Sequence, residues 1–169
     1  TVGQIPASEA LALAQIVRLG RFQSSCEIGV SYGFSTLHLA AAARDIGGHI
    51  HAIDISEKKI NAATQHLREA GLEAQVTLHL GDAREKLKEL TPDVPFDFVF
   101  VDAVKDQSID YLKAIEPKLA ARCVIAADNT ATHPEQLAPV VQYLRQMPHA
   151  KGCDFPIGNG FELTILHRP

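Results

Sequence analysis

The sequence is poor in what marks a stapled, basic or membrane-embedded protein. It has three cysteines in 169 residues, Cys26, Cys123 and Cys153, too few and too scattered for a disulfide framework or a zinc site. Cys26 and Cys123 fall in apolar, strand-like stretches and read as buried thiols, which suits a reducing, cytoplasmic compartment. Positive charge is not in excess: 16 Lys and Arg against 20 Asp and Glu give a net charge of −4. That removes the electrostatic case for nucleic acid or an anionic membrane as partner. No apolar run is long enough to cross a bilayer, and no basic-plus-apolar leader opens the sequence. Internal repeats, low-complexity stretches and linkers are absent, so residues 1–169 read as one domain. Hydrophobic residues make up 46% and charged residues 21%, an ordinary globular composition in a length that can bury a sizeable core.

What is present is alternation. "ASEALALAQIVRLG" is helical, with Ser8 as N-cap and Gly20 as stop. "SSCEIG" is a short strand, and "FSTLHLAAAARDIGG" is a helix ended by Gly47-Gly48. "HIHAID" is a strand. "SEKKINAATQHLREAG" is a helix with Ser56 as N-cap, Ile60, Ala63, Leu67 and Ala70 on one face, and Gly71 as C-cap. "QVTLHL" alternates with period two. "DAREKLKEL" is a short helix stopped before Pro92. "FDFVFV" is a buried strand, "SIDYLKAIEPKLAA" a helix and "CVIAA" a fifth strand. A helix starts near Pro134 and carries Pro139 inside it. "CDFPIGNGFELTILHRP" reads as two strands around a Gly-Asn-Gly turn. The fold class is therefore α/β: a Rossmann-like, doubly wound, mostly parallel sheet of seven strands, with an antiparallel strand from the C-terminal hairpin.

In open sheets of this kind ligands bind at the carboxyl ends of the strands. Five successive strand ends carry acids here: Glu27, Asp54, Asp82, Asp102 and Asp128, the last followed by Asn129. Any one of them could be a helix N-cap. As a row they repel one another, and Ser or Thr would cap without that cost. The first turn, "EIGVSYGFST", spaces Gly29 and Gly33 as Gly-x-x-x-Gly, where a dinucleotide fold has Gly-x-Gly-x-x-Gly. Asp54 is placed to take both hydroxyls of a ribose, and Glu27 to meet a cation such as an amino group. "FDFVFVDAVKDQ" joins a buried strand directly to Asp102, Lys105 and Asp106, charges that avoid such a place unless something there uses them.

"EIGVSYGFST", "AIDIS", "LGDA", "FVFVDAVKD" and "AADNT", in this order, resemble the metal-dependent class I O-methyltransferases that use S-adenosylmethionine, the family of the catechol and caffeoyl-CoA O-methyltransferases. The resemblance runs from about residue 5 to the end. It implies that Glu27, Gly29, Ser31, Gly33 and Ser35 hold the methionine part of the cofactor, and that Asp54 holds the ribose with Ile55 beside it. It places Asp82 and Ala83 by the adenine. Asp102, counted with the cofactor residues as well, joins Asp128 and Asn129 around Mg²⁺ or another divalent cation, and Lys105 matches the lysine regarded as general base. The implied acceptor is a small catechol-like or other vicinal-diol aromatic, with a homodimer possible and neither nucleic acid nor membrane as partner.

The residue chemistry agrees. Strands four and five should be neighbours, which brings Asp102 to Asp128-Asn129. Two carboxylates and an amide oxygen form a hard-oxygen set suited to Mg²⁺, which keeps positions for water or substrate. A lysine starts near a pKa of ~10.4 and must be depressed to act as a base; the competing reading of Lys105 is an ion pair with Asp102 or Asp106. The sequence departs from the caffeoyl-CoA pattern at Val104 and Asn159, each in place of an acid. About 25 residues precede the first strand, so helices that cover the acceptor in relatives are expected to be missing. His51 and His79 read as structural, and His133 as exposed loop with the acceptor pocket as its other reading. Two rival functions stay open, a metal-independent methyltransferase and a non-catalytic S-adenosylmethionine-binding module.

Overall fold

The computed structural model describes residues 4–169, and its seven strands form one sheet in the order β3-β2-β1-β4-β5-β7-β6. These are β1 (Ser24–Ile28), β2 (His49–Asp54), β3 (Val76–Leu80), β4 (Phe96–Val101), β5 (Leu119–Asp128), β6 (Ala150–Phe155) and β7 (Phe161–His167). All pairings among β1 to β5 are parallel, and β7 runs antiparallel between β5 and β6. The expected doubly wound sheet with one antiparallel hairpin strand is what forms. The order reverses at β1, with β2 on one side and β4 on the other, and that switch point opens a crevice at the carboxyl edge.

Helices cover both faces. Against one lie α1 (Ala7–Gly20), α2 (Phe34–Ile46) and α3 (Glu57–Glu69), burying Leu13, Val17, Leu39, Ala63 and Leu67 on Phe98 and Phe100 of the sheet. Against the other lie α4 (Ala83–Glu89), α5 (Ser108–Ile115) and α6 (Pro134–Arg145), burying Leu87, Leu112, Ile115, Val140 and Leu144 on Phe96, Val99 and Ile125. Covering both faces explains why β1 is buried at all five positions and why β4 reads as a continuous apolar run. The one acid inside β4 is also accounted for. Asp97 accepts hydrogen bonds from the backbone N–H groups of Gln23 and Ser24, both at 2.9 Å, and pins the entry to β1.

Local readings differ from the structure at several boundaries, most clearly around α1 and the start of β5. Ser8 is not the N-cap of α1; Pro6 is, with φ −61° and ψ 152° and no capping side chain. The proline ring fixes that φ in advance, so the helix starts two residues earlier, at Ala7. The stop is not Gly20 but Arg21, in the left-handed region at φ 51°. The helix read through residue 121 ends at Ile115, passes through a 3₁₀ turn at Glu116–Lys118, and gives way to β5 at Leu119. Pro117 has no N–H for a further helical bond. The Lys118 ammonium donates instead to the carbonyls of Leu87, Lys88 and Leu90, closing the C-terminus of α4.

Candidate active site

Parallel registry builds the site. Ile28, Val101 and Ala127 stand side by side across β1, β4 and β5. The next residues, Gly29, Asp102 and Asp128, therefore emerge together at the carboxyl edge. The ladder runs one step past the strands: Gly29 N–H donates to Ile53 O, Asp102 N–H to Ile28 O, and Gly81 N–H to Asp54 O. This packing is close enough to require glycine at 29, where φ is +96° and a Cβ would lie 1.9 Å from the Asp102 carbonyl oxygen.

A cavity of about 730 Å³ lies over this edge, within the range of small-molecule sites. Gly29, Ser31, Asp54, Ile55, Asp82, Ala83, Asp102, Lys105, Asp128 and Asn129 all line it. Glu27, Gly33 and Ser35 do not. Glu27 lies behind the wall with no exposure; one oxygen accepts from the Thr36 hydroxyl, and the other, Oε2, is buried without a partner. Burial pushes its carboxyl up to about 8, against the Thr36 hydrogen bond, which favours ionisation.

Asp54 is already engaged. Oδ2 accepts from the N–H groups of Val30 (3.1 Å) and Ser31 (3.0 Å), and Oδ1 from that of Ser56 (2.9 Å). Its carboxylate thus shapes the first turn from the neighbouring strand. A carboxylate has about four acceptor positions, so one remains for a ligand. Asp82 likewise caps α4 through Arg84 N–H and takes the Arg84 guanidinium on both oxygens, at 3.1 and 2.7 Å. That pairing holds its carboxyl below the usual range.

At the other end stand Asp102, Asp128, Asn129 and Lys105. The Lys105 ammonium is 3.5 Å from Asp102 Oδ1 and donates to the Ala103 carbonyl at 3.2 Å. The ion pair considered from the sequence does form. It lies in the cavity wall rather than on the surface, with the two side chains 20% and 17% exposed. Burial raises the Asp102 carboxyl, Asp128 adds to the rise and Lys105 opposes it. Asp128 is buried, and its Oδ1 has no hydrogen-bond partner. The Asn129 side-chain N–H₂ donates to Thr132 Oγ1 at 2.8 Å, which leaves its carbonyl oxygen without a protein donor to satisfy. Among the described residues, no three His, Cys, Asp or Glu side chains gather closely enough to enclose a metal ion by themselves. A set of two carboxylates and one amide oxygen is nonetheless what Mg²⁺ uses when water and substrate complete its shell.

The sequence reading missed several lining residues. Arg84, Lys59, Gln107, Tyr111, Thr132 and Asn159 face the same cavity. The Tyr111 hydroxyl donates to Gln107 at 2.8 Å, an i, i+4 spacing that was legible. His133 is exposed and also lines the cavity, so both readings of it hold. Glu9 was not singled out and gave no signal. It lies in the first turn of α1, where acids are common, yet it is wholly buried and its neighbours include the Asp128 carboxyl. Burial, then that contact, drives its carboxyl far above the usual range.

A parallel sheet reversing at β1, with a Gly-rich first turn and acids at the strand ends, defines an S-adenosylmethionine-dependent methyltransferase fold. The family described as a methyltransferase domain matches residues 26–130. Caffeoyl-CoA O-methyltransferase 2 of Eucalyptus globulus is 30% identical over 179 residues, covering 93% of this chain and 72% of the relative. An O-methyltransferase of Streptomyces achromogenes, solved with S-adenosylmethionine, superposes with a TM-score of 0.83 at 25% identity, over 96% of this chain and 81% of that one. One from Bacillus cereus, solved with S-adenosylhomocysteine, gives 0.88 at 21% identity, over 98% and 84%. The chain belongs to the class I S-adenosylmethionine-dependent O-methyltransferase family, and its activity is O-methylation.

Proposed function

We propose that the enzyme methylates one hydroxyl of a small aromatic acceptor with vicinal hydroxyls, with a divalent cation held by Asp102, Asp128 and Asn129. The observation that carries this reading is the buried, unpartnered Oδ1 of Asp128 beside Asp102. An uncompensated carboxylate oxygen in that position is costly, and a cation relieves it. A bound Mg²⁺ would lower the pKa of an acceptor hydroxyl.

The cofactor supplies a methyl group on a sulfonium. Glu27 Oε2, buried and without a donor, suits the amino group of its methionine part, with the Gly29–Gly33 turn and Ser35 alongside. Asp54 keeps one acceptor position for the ribose. Ile55, 71% exposed, offers an apolar face to the adenine near Asp82 and Ala83. Ile28, Ile53 and Tyr111 line the cavity wall beside it. Lys105, once it has given up its own proton and the Asp102 ion pair, would receive the acceptor hydroxyl proton on its neutral amine. The oxygen then forms its bond to the methyl carbon as the carbon–sulfur bond breaks, in line. The Lys105–Asp102 ion pair is the observation that favours a metal-independent version, since a lysine can neutralise the same carboxylate.

The test is methyl transfer from labelled S-adenosylmethionine to a panel of catechols and monophenols, with Mg²⁺ or with a chelator. Transfer to the catechols alone, abolished by the chelator, is the expected result. Transfer that ignores the chelator establishes the metal-independent version, and transfer to monophenols removes the vicinal-diol requirement.

A further inference from the structure

An apolar side chain that meets water inside a binding cavity gains burial only when a ligand covers it. Among the described residues, Ile55 and Val104 are the exposed large apolar side chains that line the cavity, at 71% and 53% exposure. Ile55 follows Asp54, where the nucleoside is proposed to lie. Val104 stands between Asp102 and Lys105, and none of the groups assigned to the cofactor accounts for it. Its backbone is fastened. The Val104 carbonyl accepts from the Gln107 N–H at 3.1 Å and from the Ser108 hydroxyl at 3.2 Å, and Gln107 accepts in turn from the Tyr111 hydroxyl at 2.8 Å. Branching at Cβ restricts χ1, so the two methyl groups are presented in a set direction. The side chains lining this end offer little countercharge. Lys105 is engaged with Asp102 and the Ala103 carbonyl, and Thr132, His133 and Asn159 add a hydroxyl, an imidazole and an amide. A charged group pressed against Val104 would lose water without gaining a partner.

We infer that Val104 is a specificity-determining residue: its side chain packs against a substituent on the acceptor ring and selects substituents that are apolar and uncharged. The inference rests on the reading of the site as one for a vicinal-diol aromatic. It adds what the ring carries beyond its two hydroxyls, which the proposed cation ligands and Lys105 do not specify.

The experiment measures kcat and KM, with Mg²⁺ and S-adenosylmethionine, for catechol and for catechols that carry a propyl, an aminoethyl or a carboxyethyl group para to one hydroxyl. Wild type is compared with Val104→Ala, which removes the two methyl groups, and with Val104→Thr, which keeps the shape and adds a hydroxyl. S-adenosylhomocysteine affinity and the unfolding midpoint report on the rest of the fold. In wild type, kcat/KM for propylcatechol should exceed that for either charged catechol by about tenfold or more. Both variants should lose about three- to tenfold for propylcatechol, through KM with kcat kept, and less than about twofold for unsubstituted catechol. S-adenosylhomocysteine binding should not change. Equal kcat/KM for the three substituted catechols in wild type overturns the preference, and a wild-type profile in both variants overturns the role of Val104; either result leaves the vicinal-diol reading intact. A fall in kcat that is the same for every acceptor also overturns it, because Val104 would then support the site without choosing the substrate. Wild-type protein that methylates none of these catechols removes the vicinal-diol reading and this inference with it.

Discussion

Replacing Asp54 by alanine should damage the fold before it damages catalysis. The side chain accepts three backbone hydrogen bonds, from Val30, Ser31 and Ser56. Bonds to a charged acceptor are worth about 1.5–3 kcal/mol each in protected settings. Asp54 is half-buried, and water can replace part of what is lost. The expected loss is roughly 2–4 kcal/mol of unfolding free energy, about half the nominal sum. Asp54→Asn should recover only part of it, because its amide has one oxygen for three donors and turns an N–H₂ toward one of them. Urea unfolding followed by circular dichroism gives the stability, and calorimetric titration with S-adenosylhomocysteine gives the affinity. If the turn transmits the effect, both should fall together, with affinity down on the order of 30-fold or more. An Asp54→Ala protein as stable as wild type would refute the structural role. If such a protein also lost cofactor binding, Asp54 would be a ribose ligand and nothing else.

Lys105→Met should lower the methyl-transfer rate by about 10²–10⁴-fold, and by less for acidic nitrocatechols, which arrive ionised; single-turnover rates across substituted catechols check this, and a uniform deficit would make Lys105 a positioner. His51, whose Nδ1 lies 3.0 Å from His79 Nε2, has its pKa lowered from 6.5 to about 4 by burial and then by His79 and His49. Between those values the unfolded chain binds the extra proton, so this contribution is complete above pH 6.5 and is lost as pH falls toward 4. His51→Phe should remove roughly 1–3 kcal/mol of the acid destabilisation, read as the difference in urea midpoints from wild type at pH 4.5 and 7.5. Arg145 makes two hydrogen bonds, at 2.9 and 2.8 Å, to Glu162, which has no exposure. Arg145→Met should therefore cost about 2–4 kcal/mol in thermal or urea unfolding, and a neutral outcome would mean that the Thr164 hydroxyl, which donates to Glu162 Oε1 at 2.9 Å, satisfies it alone.

How much of this was legible depended on how local each signal was. The alternation of strands and helices, and the hairpin, followed from period and turn residues. The convergence of Asp102 with Asp128-Asn129 followed from the rule that β4 and β5 are neighbours. Ser8 misled because Pro6, two residues earlier, had already fixed the backbone. The strand character of residues 119–121 was hidden because Leu-Ala-Ala has helical propensity, and only pairing with β4, where Leu119 stands opposite Phe96, overrides it. Asp54 was read as a ligand, and two of its three donors, Val30 and Ser31, lie more than twenty residues away in sequence. Glu9 was invisible for the same reason: nothing in "ASEALAL" says that Asp128 and Gly158 will close around its third residue.

β7 lies between β5 and β6 although it is made after both, and it pairs Phe161 with Asp128. While the ribosome is still completing that segment, the edge of β5 is bare and the loop at Asn129 has no Gly160 carbonyl to hold it. The half of the crevice proposed above for the nucleoside, built from β1, β2 and β3, needs none of these residues. A growing chain would thus complete its cofactor half first and its acceptor half last. The acceptor half cannot be complete until β7 has left the exit tunnel, and termination before β7 should leave a protein that binds the donor but has no place to spend it.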